Sequence, residues 1–153
     1  MRHSFERRRQ GGVTLLELVV AMTAAMIMAS IALPAYSGYM TRARVAVAVG
    51  DIGRISLQLY RWQLSTRSFP ATLVEAGLDA NDPWGKPYQY LAVAGANRGA
   101  LRKDRNLVPI NTDFDLYSMG PDGKSVAPLT AAFSQDDVVR ANDGSFVGVA
   151  KDY

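Results

Sequence analysis

Gly11-Gly12-Val13-Thr14-Leu15-Leu16-Glu17-Leu18-Val19-Val20-Ala21-Met22-Thr23-Ala24-Ala25-Met26-Ile27-Met28-Ala29-Ser30-Ile31-Ala32-Leu33 decides the fold. From Val13 to Leu33 the stretch is apolar on every side of a helix, as a bilayer-spanning segment must be, and it meets the requirement of about 20 residues for crossing. One carboxylate, Glu17, interrupts it near its start. A charge at the centre of a membrane helix costs roughly 2.5–3.5 kcal/mol on insertion scales, so Glu17 needs a reason. Either it lies near the membrane edge and snorkels, or it meets a cation. Upstream, Met1 to Gly12 carries Arg2, Arg7, Arg8 and Arg9 against Glu6. Such a basic flank holds its side of a membrane segment in the cytoplasm.

The whole chain of 153 residues has 17 Lys+Arg and 14 Asp+Glu, with a pI near 9.3. Without the first twelve residues, which hold four arginines and one glutamate, 13 basic and 13 acidic residues remain. The basic pI is therefore a property of the leader and does not indicate nucleic acid. Cysteine is absent, which excludes a disulfide staple and a thiolate metal site. The single histidine, His3, lies in the leader. A chain with neither His nor Cys beyond its leader has few routes to nucleophilic or acid–base catalysis, which argues against an enzyme.

Downstream of Leu33 the pattern changes. Pro34 predicts a kink, and with Gly38 it marks the expected place for local unwinding. Tyr36, Tyr39, Arg42 and Arg44 suit a membrane–water boundary. Val45, Ala48, Val49, Ile52, Ile55, Leu59 and Trp62 then recur at steps of three and four, one face of an amphipathic helix. From Thr14 to Leu64 this helix would be roughly 75 Å long. Gly50 and Gly53 are expected to allow close packing against a small domain.

After a loop at Ser65–Phe69, Phe69–Leu78 predicts one short helix ending near Gly77. Asp82–Pro87 is a turn, and Tyr88–Val93 a strand, with Tyr88 and Tyr90 on one core-facing side. Gly95–Asn111 is expected to be a solvated loop carrying Arg98, Arg102, Lys103 and Arg105. Without an aromatic platform it is no nucleic-acid site. Phe114–Met119 reads as a second strand, Gly120–Gly123 as a turn, and Phe146–Val149 as a third strand. Gly123-Lys124-Ser125 lacks the first glycine of a phosphate loop, since Ser118 stands in its place. One helix followed by antiparallel strands makes an α+β fold.

Three features point to one family. The basic leader, the Gly12–Val13 junction and Glu17 in fifth place after it resemble the class III signal of type IV pilins and type II secretion pseudopilins. Asp82-Pro83-Trp84-Gly85-Lys86-Pro87-Tyr88 and Asp115-Leu116-Tyr117-Ser118-Met119-Gly120-Pro121-Asp122-Gly123 are similar to motifs of the type II secretion major pseudopilin. The absence of cysteine fits pseudopilins better than pilins.

The resemblance implies a type IV pilin-like fold, a long N-terminal helix on a small antiparallel sheet. It implies three parts: a removed leader, 1–12; a transmembrane or filament-core segment, 13–40; and a periplasmic domain, 41–153. Prepilin peptidase would cut after Gly12, Val13 would be N-methylated, and Glu17 would pair with the Val13 amine of a neighbouring subunit. The subunit would sit in the inner membrane as a single-pass protein and polymerise with itself and minor pseudopilins on an assembly platform. The filament would drive protein export.

A pilin of a type IV pilus, used for adhesion, motility or DNA uptake, is the alternative, and a membrane-anchored binding module a third. The resemblance also implies a calcium site. Its ligands would be Asp122, Asp136 and Asp137, with the carbonyls of Met119 and Lys124. The stretch between Asp122 and Asp136 is longer than the family usually has, and Gly95–Asn111 is expanded and basic, which suggests a branch of the family.

Overall fold

A computed structural model describes residues 12–153. The leader arginines and His3 lie outside the described residues. The chain divides into two compact units at residues 40 and 41. One helix, α1 (Leu15–Thr66), begins in the first and continues into the second.

In the first unit, the apolar side chains of α1 are largely exposed among the described residues. Leu15 is 81% exposed and Ile31 69%. Its length and composition suffice to cross a membrane. The expected unwinding at Pro34–Gly38 does not occur, because the chain remains helical through both residues. A proline removes only its own N–H from the ladder, and the turns on either side persist. The Ser37 hydroxyl donates to the Pro34 carbonyl at 2.9 Å, which uses one of the local acceptors.

The second unit is built on the amphipathic half of α1. Ala48, Ile52, Ile55, Ser56 and Leu59 are its buried residues, at the spacing of one helical face. Four strands, β1 (Gln89–Ala92), β2 (Phe114–Ser118), β3 (Val138–Ala141) and β4 (Phe146–Val149), form an antiparallel sheet in sequential order. Gln89 pairs with Tyr117, Tyr117 with Val139, and Val139 with Gly148. This is the α+β, pilin-like arrangement expected.

Alternation divides the sheet. Phe114, Leu116 and Val138 join Ala48, Ile52, Ile55 and Leu59 in the main core, with Tyr88 buried and Tyr90 packed at its rim. Val139 and Ala141 face the other way and join Ile110, Leu129 and Ala150 in a second, smaller core.

Three further expectations need correction. Phe69–Leu78 forms turns and no helix. Thr72 and Glu75 do make helix-start hydrogen bonds, Glu75 N–H to Thr72 Oγ1 at 3.2 Å and Ala71 N–H to Glu75 Oε2 at 2.7 Å. Gly77, at φ +66°, ends the turn before it can propagate. Gly50 and Gly53 do not pack closely, since a Cβ added at either meets nothing within 4 Å. Gly95–Asn111 is not a wholly solvated loop: Leu101, Arg102, Ile110 and Asn111 are buried. The strand β3 was not expected at all.

Candidate functional site

The N-terminal junction is built by a helix cap. Gly12, Val13 and Thr14 precede the helix and are exposed. The Thr14 hydroxyl accepts a hydrogen bond from the Glu17 N–H at 3.2 Å, so Thr14 is the N-cap and Glu17 lies three residues into the helix. This Thr-x-x-Glu spacing is the signature of a helix start, and a carboxylate in the first turn suits the positive end of the helix dipole. Glu17 is exposed, on a segment whose apolar side chains are also exposed. The junction is thus open in the described chain, and the apolar helix starts two residues after Val13.

The two internal motifs meet each other. Asp82 is 5% exposed and organises its turn. Its Oδ1 accepts from the Trp84 N–H at 3.0 Å and the Lys86 N–H at 2.9 Å. Its Oδ2 accepts from the Ser118 hydroxyl at 2.5 Å. Ser118 in turn accepts from the Gly120 N–H at 3.1 Å, ordering the turn after β2. Gly120 sits at φ +63°, and a Cβ there would lie 2.4 Å from the Asp136 carbonyl oxygen, so only glycine fits. Trp84 packs its ring against the main core.

The acidic positions are brought to one region without converging. The Asp122 N–H donates to Asp136 Oδ2 at 3.4 Å, and Asp122 Oδ1 accepts from the Lys124 N–H at 2.7 Å. Met119 is half-buried beyond β2, and the Lys124 ammonium stands 5.2 Å over the Phe133 ring. Asp137 is fully buried. Its Oδ2 receives the Arg102 guanidinium at 2.5 Å and the Ser125 hydroxyl at 2.6 Å. Burial pushes the Asp137 carboxyl up to about 6, while Ser125 and Arg102 favour its ionised form.

Among the described residues, no three acidic or histidine side chains are grouped to hold a metal. Calcium takes about six to eight oxygens. Asp137 already holds a guanidinium through Oδ2, its Oδ1 is buried without a hydrogen-bond partner, and Asp122 and Asp136 do not group with it, a set that does not fit that cage.

Arg102 and Arg140 are the residues that sequence reasoning missed. Arg102 is 2% exposed and Arg140 1%. The Arg102 backbone N–H donates to Asp115 Oδ2 at 2.7 Å, and its guanidinium donates to Ser125 and the Val126 carbonyl and lies 4.4 Å from the Tyr117 ring centroid. The Arg140 guanidinium makes a two-pronged pair with Asp113, at 2.9 and 2.6 Å, and donates to the Tyr60 hydroxyl at 2.7 Å. Neither arginine carries a local signal of burial, because its counter-charge comes from far along the chain.

Residues 7–33 match the prokaryotic N-terminal methylation motif. The type II secretion system core protein G of Pseudomonas aeruginosa is 32% identical, over 78% of this chain and 89% of that protein. Core protein G of Aeromonas hydrophila is 31% identical over the same shares, and that of Vibrio cholerae 27% over 82% and 90%. No solved structure matches the chain. A capped apolar helix with glutamate in its first turn, and two motifs joined by the Ser118–Asp82 bond at the end of β2, accompany this similarity along the chain. The chain belongs to the type II secretion system core protein G family, the pseudopilins.

Proposed function

We propose that this pseudopilin is made as an inner-membrane precursor with its globular unit in the periplasm. Prepilin peptidase cuts it between Gly12 and Val13, Val13 is N-methylated, and the subunit enters the filament on an inner-membrane platform with minor pseudopilins. Its role is structural and not catalytic. The observation that carries this reading is the order at the junction: an exposed Gly12–Val13 bond, a Thr14 cap, and an apolar helix with Glu17 in its first turn. A cut before the apolar segment keeps that segment in the mature chain, unlike a secretory signal.

The free Val13 amine is cationic at neutral pH and stands at the same end of the helix as Glu17. In apolar surroundings two such charges need each other, and a neighbouring subunit offers the partner. The filament reading places the globular units outside and the apolar helices inside.

Mass spectrometry of protein recovered from membranes tests the processing step. Val13 is expected as the first residue, with about 14 Da added by the methyl group. A mature terminus beyond Leu33 would mean the apolar segment is an ordinary cleaved signal.

A further inference from the structure

We propose that the Arg102 guanidinium is the resident cation of the acidic region after β2, so that this subunit folds without a divalent metal. A cation in such a place has two tasks. It neutralises a buried carboxylate, and it ties together segments that the sheet alone leaves separate. Arg102 does both. Its guanidinium neutralises Asp137, just before β3, inside a region from which water is excluded. The same group holds Ser125 and the Val126 carbonyl in the long connection after β2, and lies on the ring of Tyr117 in β2 itself. Its backbone N–H fastens Asp115, also in β2.

A guanidinium suits this position better than a metal would. It presents several donors in a fixed plane, and it stays charged at any pH the protein meets. The remaining acidic pair, Asp122 and Asp136, is not left to a metal either. Asp122 accepts from the Lys124 backbone, and the Lys86 side chain lies along Gly123, 3.0 Å from where a Cβ would be. Cations of the chain itself face this region: Arg102 on Asp137, Lys86 along Gly123, and Arg42 and Lys151 in the cavity that Asp122 and Asp136 line. A dication entering at Asp137 would have to displace a guanidinium that also holds three other groups. The connection from Gly123 to Gln135 has a role in this arrangement, because it delivers Ser125 and Val126 to Arg102. The segment between β1 and β2 delivers Arg102.

The test uses the full chain in detergent micelles, with thermal unfolding followed by circular dichroism. The wild-type midpoint is expected to be the same in millimolar calcium and in chelator. A midpoint that rises with calcium would overturn the proposal. In chelator, Arg102→Gln is expected to melt lower by about 10 °C, since it strands a buried carboxylate. Arg102→Lys, which keeps a charge but not the planar fork, is expected to recover part of that loss. An Arg102→Gln chain that melts with the wild type would equally defeat the idea. The calcium comparison needs no variant and decides the matter even where Arg102→Gln does not accumulate.

Discussion

Arg140 shows what a single charge inside a small core requires. Its guanidinium lies 4.1 Å from the Phe114 ring centroid and is tied to Asp113 through both terminal nitrogens. Tyr60, on α1, donates to Asp113 Oδ2 at 2.7 Å and accepts from Arg140, so the helix and β3 share one polar knot. Removing one member of a buried pair strands the other, at about 3–5 kcal/mol. Arg140→Met is expected to lose stability on that order in denaturant unfolding of the full chain in micelles. Burial acts to raise the Asp113 carboxyl, but the bonds from Arg140, Tyr60 and the Phe114 N–H hold it below the usual carboxylate range. A carboxyl lowered by folding stabilises the fold above its unfolded value, and that contribution is lost as pH falls through the lowered value. The stability gap between wild type and Arg140→Met should therefore narrow below about pH 4. A gap constant from neutral pH into acid would assign the whole effect to packing.

Among the elements, α1 invites a change in the opposite direction. Gly50 and Gly53 are exposed within it, with open space where a Cβ would be. Glycine in a helix interior costs about 1 kcal/mol relative to alanine. Gly50→Ala and Gly53→Ala are each expected to stabilise the isolated subunit by about that amount, read as a higher unfolding midpoint in micelles. A lower midpoint would reveal a contact that the chain alone does not make.

The same elements show what a sequence discloses. The apolar face of α1 was legible because its period is sustained over several turns. So were β2 and β4, which carry aromatic and alternating residues. Val138-Val139-Arg140-Ala141 was not. It is buried on both faces, so it has no apolar–polar alternation, and its arginine disguises a central strand. Leu101-Arg102-Lys103-Asp104-Arg105 reads as a solvated run for the same reason. What buries Arg102 is Asp137, far along the chain, and no local pattern encodes that pairing.

At the scale of the whole molecule, the apolar half of α1 exposes its side chains among the described residues. Glu17 is the polar mark on that surface. Glu17→Ala is expected to leave membrane insertion intact and to block entry into filaments. Fractionation should find the variant in the membrane fraction and absent from sheared filaments, and a normal filament yield would remove Glu17 from assembly. Exchanging lipid tails for the flanks of neighbouring helices replaces one oily solvent with another, so expulsion of water offers little drive for the transfer. Growth is then close to solvation-neutral. Its direction must then come from close packing and polar contacts between neighbouring helices, which lipid tails cannot supply.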